Sequence, residues 1–220
     1  MAIEKATFDF LKTLQKNNDR EWFDKNKSKY ETAKKNFEEF VSELIIQCAR
    51  HNKKLDGLDA KKCIFRIYRD VRFSKNKAPY KNNFGAAINA GGRKGEGFDF
   101  YLQIGPGISF MGGGAWQPES DKLKKIRQEI DYNSAGFKRI LNDKKFKNFF
   151  GDLMQDHKLV NPPKGYDKTH PEIELLKLNS FVAACNFDDK LVLEKDFIKK
   201  CVAGYRLLMP FNQFLNTATS

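Results

Sequence analysis

"CIFRIYRDVRFS", Cys63 to Ser74, changes the hydrophobic period of the chain from helical to two. Cys63, Phe65, Ile67, Val71 and Phe73 occupy odd positions, interrupted by Arg69, while Arg66, Tyr68, Asp70, Arg72 and Ser74 occupy even ones. Successive side chains of a strand point to opposite faces, so this alternation predicts a strand with one apolar and one polar face. "SKNKAPYKNN" then reads as a loop around Pro79. Further strands are predicted at "FGAAIN", at "FDFYLQIG" with Phe98, Phe100, Leu102 and Ile104 inward, and at "ISFMGGG", which three glycines should stop.

Upstream of this block the pattern is helical. "TFDFLKTLQKNN" reads as a short helix with Thr7 as N-cap and Phe8, Leu11 and Leu14 on one face. Asp19 is placed to cap a long helix running to about Arg50, whose apolar residues from Trp22 to Cys48 step mostly by three or four. Downstream, "QPESDKLKKIRQEI", "SAGFKRILND" and "DKKFKNFFGDLM" read as helices, "SFVAACNF" as a last strand, and the segment from Glu194 as a helix that Pro210 should kink or break. Strands flanked by helices at both ends predict an α+β fold. The expectation is a single domain over residues 1–220, its mainly antiparallel sheet packed by a long N-terminal helix and C-terminal helices.

Composition narrows the chemistry. Apolar residues make up 40% of the 220, which supports a packed core without disulfides or metal. Cys48, Cys63, Cys185 and Cys201 lie far apart in apolar stretches, with no CxxC pair, and read as buried thiols. HExxH, the P-loop spacing and a GxSxG elbow are all absent from the sequence. Neither a metal nor a cofactor is therefore expected. His170, with Asp167, reads as a cap in "DKTHPE" ahead of an acid–base pair. Charges in "MAIEKATFDF" and the lack of a ~20-residue apolar run predict a cytoplasmic protein with no membrane segment.

The net charge of +12 is concentrated. Between Lys61 and Lys81 eight bases face one acid, whereas residues 1–52 carry ten bases and nine acids. Such a field attracts phosphates and acidic partners. Arg66, Arg69, Arg72, Lys75, Lys77 and Lys81 are the expected ligand contacts, with Tyr68 and Tyr101 on one sheet face and Trp116 as stacking surfaces. Trp116 also reads as a core anchor. Asp70, between two guanidiniums, can orient both. Three readings fit this run: a site for a phosphate-bearing or other anionic ligand, nucleic acid included; an enzyme on an anionic small molecule with Asp70 or Glu21 as base; or an ion-pair network of Arg66, Arg72 and Asp70 with carboxylates such as Glu21. Oligomeric state is not legible.

"NNDREWF" with "NKSKYE", then "FRIYRDVRFSKNKAPYKNNFG", "GGGAWQPE", "PPKGYDKTHPEIELLKLNSF" and "PFNQFLN" together resemble one family. It is the uncharacterised, mainly bacterial family catalogued as domain of unknown function 2461, and the resemblance runs from about Phe8 to Leu215. Its signature maps onto Asn18, Arg20, Glu21, Trp22, Arg66, Arg69, Asp70, Arg72, Ser74, Lys75, Lys77, Tyr80, Lys81 and Trp116. The resemblance implies a shared single-domain fold, and it brings no reaction, cofactor or partner with it.

Overall fold

A computed structural model describes residues 2–220. Helix α1, Lys5–Lys16, buries Thr7, Phe8, Phe10, Leu11 and Leu14, mostly at the three- and four-residue spacing of one helix face. Its N-cap is Glu4, not Thr7. Thr7 is buried instead, and its hydroxyl donates to Asn36 Oδ1 at 2.8 Å. That same oxygen accepts from the Glu4 N–H at 3.0 Å, so a buried amide on the next long helix satisfies one exposed donor at the start of α1.

The expected helix from Asp19 to Arg50 divides in two. Asp19 does cap, accepting from the Trp22 N–H at 2.8 Å, but α2 covers only Arg20–Lys25. Asn26, at φ −111° and ψ 18°, leaves helical geometry, and both its backbone N–H, at 3.1 Å, and its side-chain amide, at 2.9 Å, donate to the Trp22 carbonyl. Helix α3, Lys27–Ala49, then resumes and buries Phe37, Phe40, Val41, Leu44 and Cys48. A four-residue helix α4, Ala60–Cys63, follows.

Four strands, β1 Phe84–Ile88, β2 Phe100–Ile104, β3 Ser109–Ala115 and β4 Phe181–Phe187, form one antiparallel sheet in the order β1-β2-β3-β4. The alternation read for β2 holds from Phe100 on, with Phe100, Leu102 and Ile104 buried and Tyr101 and Gln103 half-buried, whereas Phe98, also expected inward, precedes the strand and is half-buried. The glycines do not stop β3, which runs through all three. A Cβ on Gly112 would sit 2.7 Å from the Ala183 carbonyl, and Gly114, at φ +109°, lies against the Phe181 carbonyl. Backbone approach to β4, rather than strand termination, is what these glycines permit.

Helices α5 Ser120–Tyr132, α6 Ser134–Leu141, α7 Lys144–Phe150 and α8 Ile173–Leu176 precede β4, and α9 Asp189–Val192 and α10 Phe197–Thr219 follow it. Helix α10 continues through Pro210. Leu208, Phe211 and Leu215 on either side are fully buried, and that packing offsets the hydrogen bond the proline cannot donate. The fold is α+β.

The chain forms two compact units. One comprises the described residues up to Glu96, Tyr101–Met111 and Asn186–Arg206; the other comprises Gly97–Phe100, Gly112–Cys185 and Leu207–Ser220. The first has an aromatic core in which Phe37 stacks on Phe84 at 5.4 Å and Phe197 meets both Phe40 and Phe187. The second centres on Phe137, packed against Phe181, Phe211 and Phe214.

Candidate functional site

Cys63 to Ser74 does not form the regular strand its alternation predicts. Cys63 closes α4, and the residues after it form the outgoing limb and the start of the tip of an arm that spans residues 64–86 and closes by two isolated antiparallel bridges, Ile64 with Ala86 and Tyr68 with Tyr80. The bridged positions are four steps apart on the outgoing limb, from 64 to 68, and six apart on the return limb, from 80 to 86. The extra two fall at the Asn82–Asn83 bend. That slip in register prevents a continuous ladder, as a bulge does. Hydrogen bonds from Phe65 N to Gly85 O, Lys81 N to Ile67 O and Arg69 N to Pro79 O, at 2.8–2.9 Å, hold the limbs together.

Three anchors seat the arm. Arg93 donates from one Nη1 to the carbonyls of Lys61, Lys62 and Ile64 at 3.0–3.2 Å, fixing its base. Tyr80, 4% exposed, stacks on Phe23 with centroids 4.0 Å apart. Asn18 presents its side chain as an extra strand edge, donating to the Tyr80 carbonyl and accepting from the Tyr80 N–H, both at 3.0 Å. Composition and periodicity gave no sign of Asn18 or Arg93 as anchors, because each partner lies tens of residues away. Only the family signature pointed to Asn18.

The tip, residues 70–78, is tied from within. Arg69, half-buried, donates to Ala78 O at 3.0 Å and Ser74 Oγ at 3.3 Å. Lys77 Nζ reaches Val71 O at 3.1 Å, and Asn76 Oδ1 accepts from the Ala78 N–H. Arg72 pairs with Asp70 through two bonds, Nε to Oδ1 at 3.0 Å and Nη2 to Oδ2 at 2.6 Å. Arg72's bonds hold the Asp70 carboxyl below the usual carboxylate range, with a smaller contribution from the Arg66 charge. Both side chains are open to solvent, the Arg72 side chain 76% exposed, so the pair is a surface clamp and not a buried network.

The six candidate cations thus fall into two groups. Arg69, Arg72 and Lys77 have protein partners. Arg66, Lys75 and Lys81 make no ion pair among the described residues. Lys81, half-buried, lies 5.4 Å from the Phe65 ring centre, and burial first, then the Arg66 charge, holds its ammonium below the usual lysine value.

The remaining candidates scatter. Tyr68 and Tyr101 do not share a sheet face: Tyr68 belongs to the arm and packs on Phe23 and Tyr80. Tyr101 on β2 lies against Phe65 and Phe110, and burial raises its hydroxyl pKa. Glu21 is exposed on α2 and pairs with Lys25 at 2.6 Å, so it does not serve the Arg66–Asp70–Arg72 group. Trp116 follows β3 in the second unit and is 53% exposed, which removes it as a core anchor. Trp22 lines a groove of about 450 Å³ with Asp9, Phe10, Thr13 and Thr32, and neither Asp70 nor Glu21 borders it. In the second unit His170 Nδ1 accepts from the Glu172 N–H while Nε2 faces Asp131 at 2.9 Å; Asp167 accepts from the His170 N–H through its carbonyl, and its carboxylate caps Thr169 and does not pair with the imidazole. No helix of the described residues is long and apolar enough to cross a membrane.

A family model described as "Conserved hypothetical protein (DUF2461)" matches residues 6–214. The chain belongs to DUF2461. No curated protein and no solved structure matches it. The matched span of the DUF2461 chain contains the whole arm and each of its anchors, Asn18, Phe23 and Arg93. Chemically, the arm of this DUF2461 protein offers two kinds of group. It has guanidinium and ammonium donors without carboxylate partners, suited to an anion. Its single carboxylate, Asp70, is held ionised by Arg72 and so is a weak proton acceptor.

Proposed function

We propose that this DUF2461 protein binds a phosphate-bearing anion, with nucleic acid the best-fitting class, through Arg66, Lys75 and Lys81. The carrying observation is the placement of Arg66 and Lys81 on facing limbs of the arm, where the Lys81 N–H bonds to the carbonyl of Ile67, the residue after Arg66, at 2.8 Å. The Arg66 charge disfavours the Lys81 ammonium, and neither residue has a carboxylate partner among the described residues. A phosphate between them relieves that repulsion and supplies acceptors for both. Cations on a projecting arm, rather than in a closed cavity, suit an extended polyanion better than a small metabolite.

The test is a titration of a labelled oligonucleotide at several salt concentrations, comparing wild type with an Arg66→Gln/Lys75→Gln/Lys81→Gln variant. Three phosphate contacts on a single strand correspond to a slope of roughly −2 in log K against log salt. The triple variant should lose at least about tenfold in affinity and most of that slope. Equal binding by both proteins, or a slope unchanged in the variant, would refute the assignment.

A further inference from the structure

Phe73 projects from the tip of the arm with 96% of its surface exposed, whereas Phe23, Phe37, Phe84 and Phe100 in the same chain are buried to 2% or less. A lone exposed aromatic is ordinary on a protein surface, so its surroundings decide what it means. The Arg72 guanidinium carbon stands 5.9 Å from the ring centre, on a side chain already oriented by Asp70. Lys75, exposed and without an ion pair among the described residues, follows two positions later. Tyr68, 49% exposed, offers a second open ring further down the arm. Cations alternating with open π-faces along one projecting segment suit a strand whose phosphates and bases are both accessible.

We infer that the arm takes single-stranded nucleic acid, an unpaired base stacking on Phe73 while neighbouring phosphates meet Arg66, Lys75 and Lys81. This rests on the anion reading above and adds the base to it. A duplex keeps its base faces inside its own stack, so Phe73 gains nothing there without insertion. An anionic lipid surface would meet the same tip, but Arg66 and Lys81 lie on the limbs of the arm and not at its tip, which favours a ligand that runs along it. Every base has a π-face, so the contact tolerates any sequence.

The experiment uses the full chain, a fluorescein-labelled 20-nucleotide deoxythymidylate strand, an abasic strand and a duplex of equal length, and vesicles of phosphatidylserine and phosphatidylcholine. Phe73→Ala should weaken binding of the thymidylate strand by roughly 5- to 150-fold, as expected for loss of one base–aromatic stack. Its salt slope should stay that of the wild type, because no phosphate contact is lost. Phe73→Trp should restore affinity, with its emission quenched by the strand. The exposed position keeps both variants folded, and matching thermal midpoints verify this. If the abasic strand binds as tightly as the thymidylate strand, or Phe73→Ala changes nothing, the stacking inference falls and the anion reading survives. Absence of binding to every polyanion at low salt overturns both. Vesicle binding that Phe73→Ala abolishes, with strand binding intact, overturns the inference and assigns the tip to a membrane surface.

Discussion

Removing the Asn18 side chain should loosen the arm without touching any of its cations. Asn18 makes two hydrogen bonds, one to the N–H and one to the C=O of Tyr80, and Tyr80 is 4% exposed. A hydrogen bond contributes about 0.5–1.5 kcal/mol net, and a buried group left without a partner costs about 1–3 kcal/mol. Asn18 itself is half-buried, so water replaces part of what is lost. Asn18→Ala should therefore destabilise the chain by about 2–3 kcal/mol, a drop of roughly 5–10 °C in Tm for a chain of this size. Asn18→Asp supplies an internal control. Its carboxylate still accepts from the Tyr80 N–H but confronts the Tyr80 carbonyl with charge in place of a donor. Protonation restores the donor, so the deficit of Asn18→Asp against wild type should shrink as pH falls through the introduced carboxyl's pKa. Thermal unfolding at several pH values, with hydrogen exchange of the Tyr80 amide, reads both effects. A Tm loss under about 1 °C for Asn18→Ala, or an Asn18→Asp deficit independent of pH, would refute the view that Asn18 serves as the arm's outer edge.

Two further outcomes follow from the packing. Burial pushes the Tyr30 phenol up to about 12, above its unfolded value of 10.0. Its contribution is therefore complete below pH 10 and is lost as pH rises towards 12, on the order of 1–2 kcal/mol after allowance for partial solvent access. Tyr30→Phe should flatten the alkaline limb of the stability–pH curve, and an unchanged limb would count against burial as the cause. Gly114→Ala places a Cβ against the Phe181 carbonyl at a φ of +109°, so it should cost more than about 3 kcal/mol or abolish soluble expression. A variant within about 1 kcal/mol of wild type by urea unfolding would show that β3 and β4 can separate there.

Local pattern carried much of the fold. Helical spacing located α1 and the bulk of α3, and alternation located β2, because each is a property of neighbouring residues on one face. Charge density placed the arm, since a run of eight bases against one acid needs no partner to be seen. Resemblance added the family. What alternation could not reveal is whether Cys63 to Ser74 finds a strand partner in register. That depended on two residues, Asn82 and Asn83, on the return limb, and they slipped the pairing. Nor does a list of cations disclose which are already engaged. Arg69 and Lys77 bond to carbonyls of their own loop and Arg72 to Asp70, leaving Arg66, Lys75 and Lys81, and only the closed geometry makes that division. Asn18 reaches Tyr80 across 62 positions and His170 reaches Asp131 across 39. The sequence by itself determined which segments bury a face and where positive charge gathers, since both are sums over near neighbours. Pairing register, the division of the cations and the exposure of Phe73 were decided by the tertiary structure, because each depends on which distant groups the folded chain brings within hydrogen-bond reach.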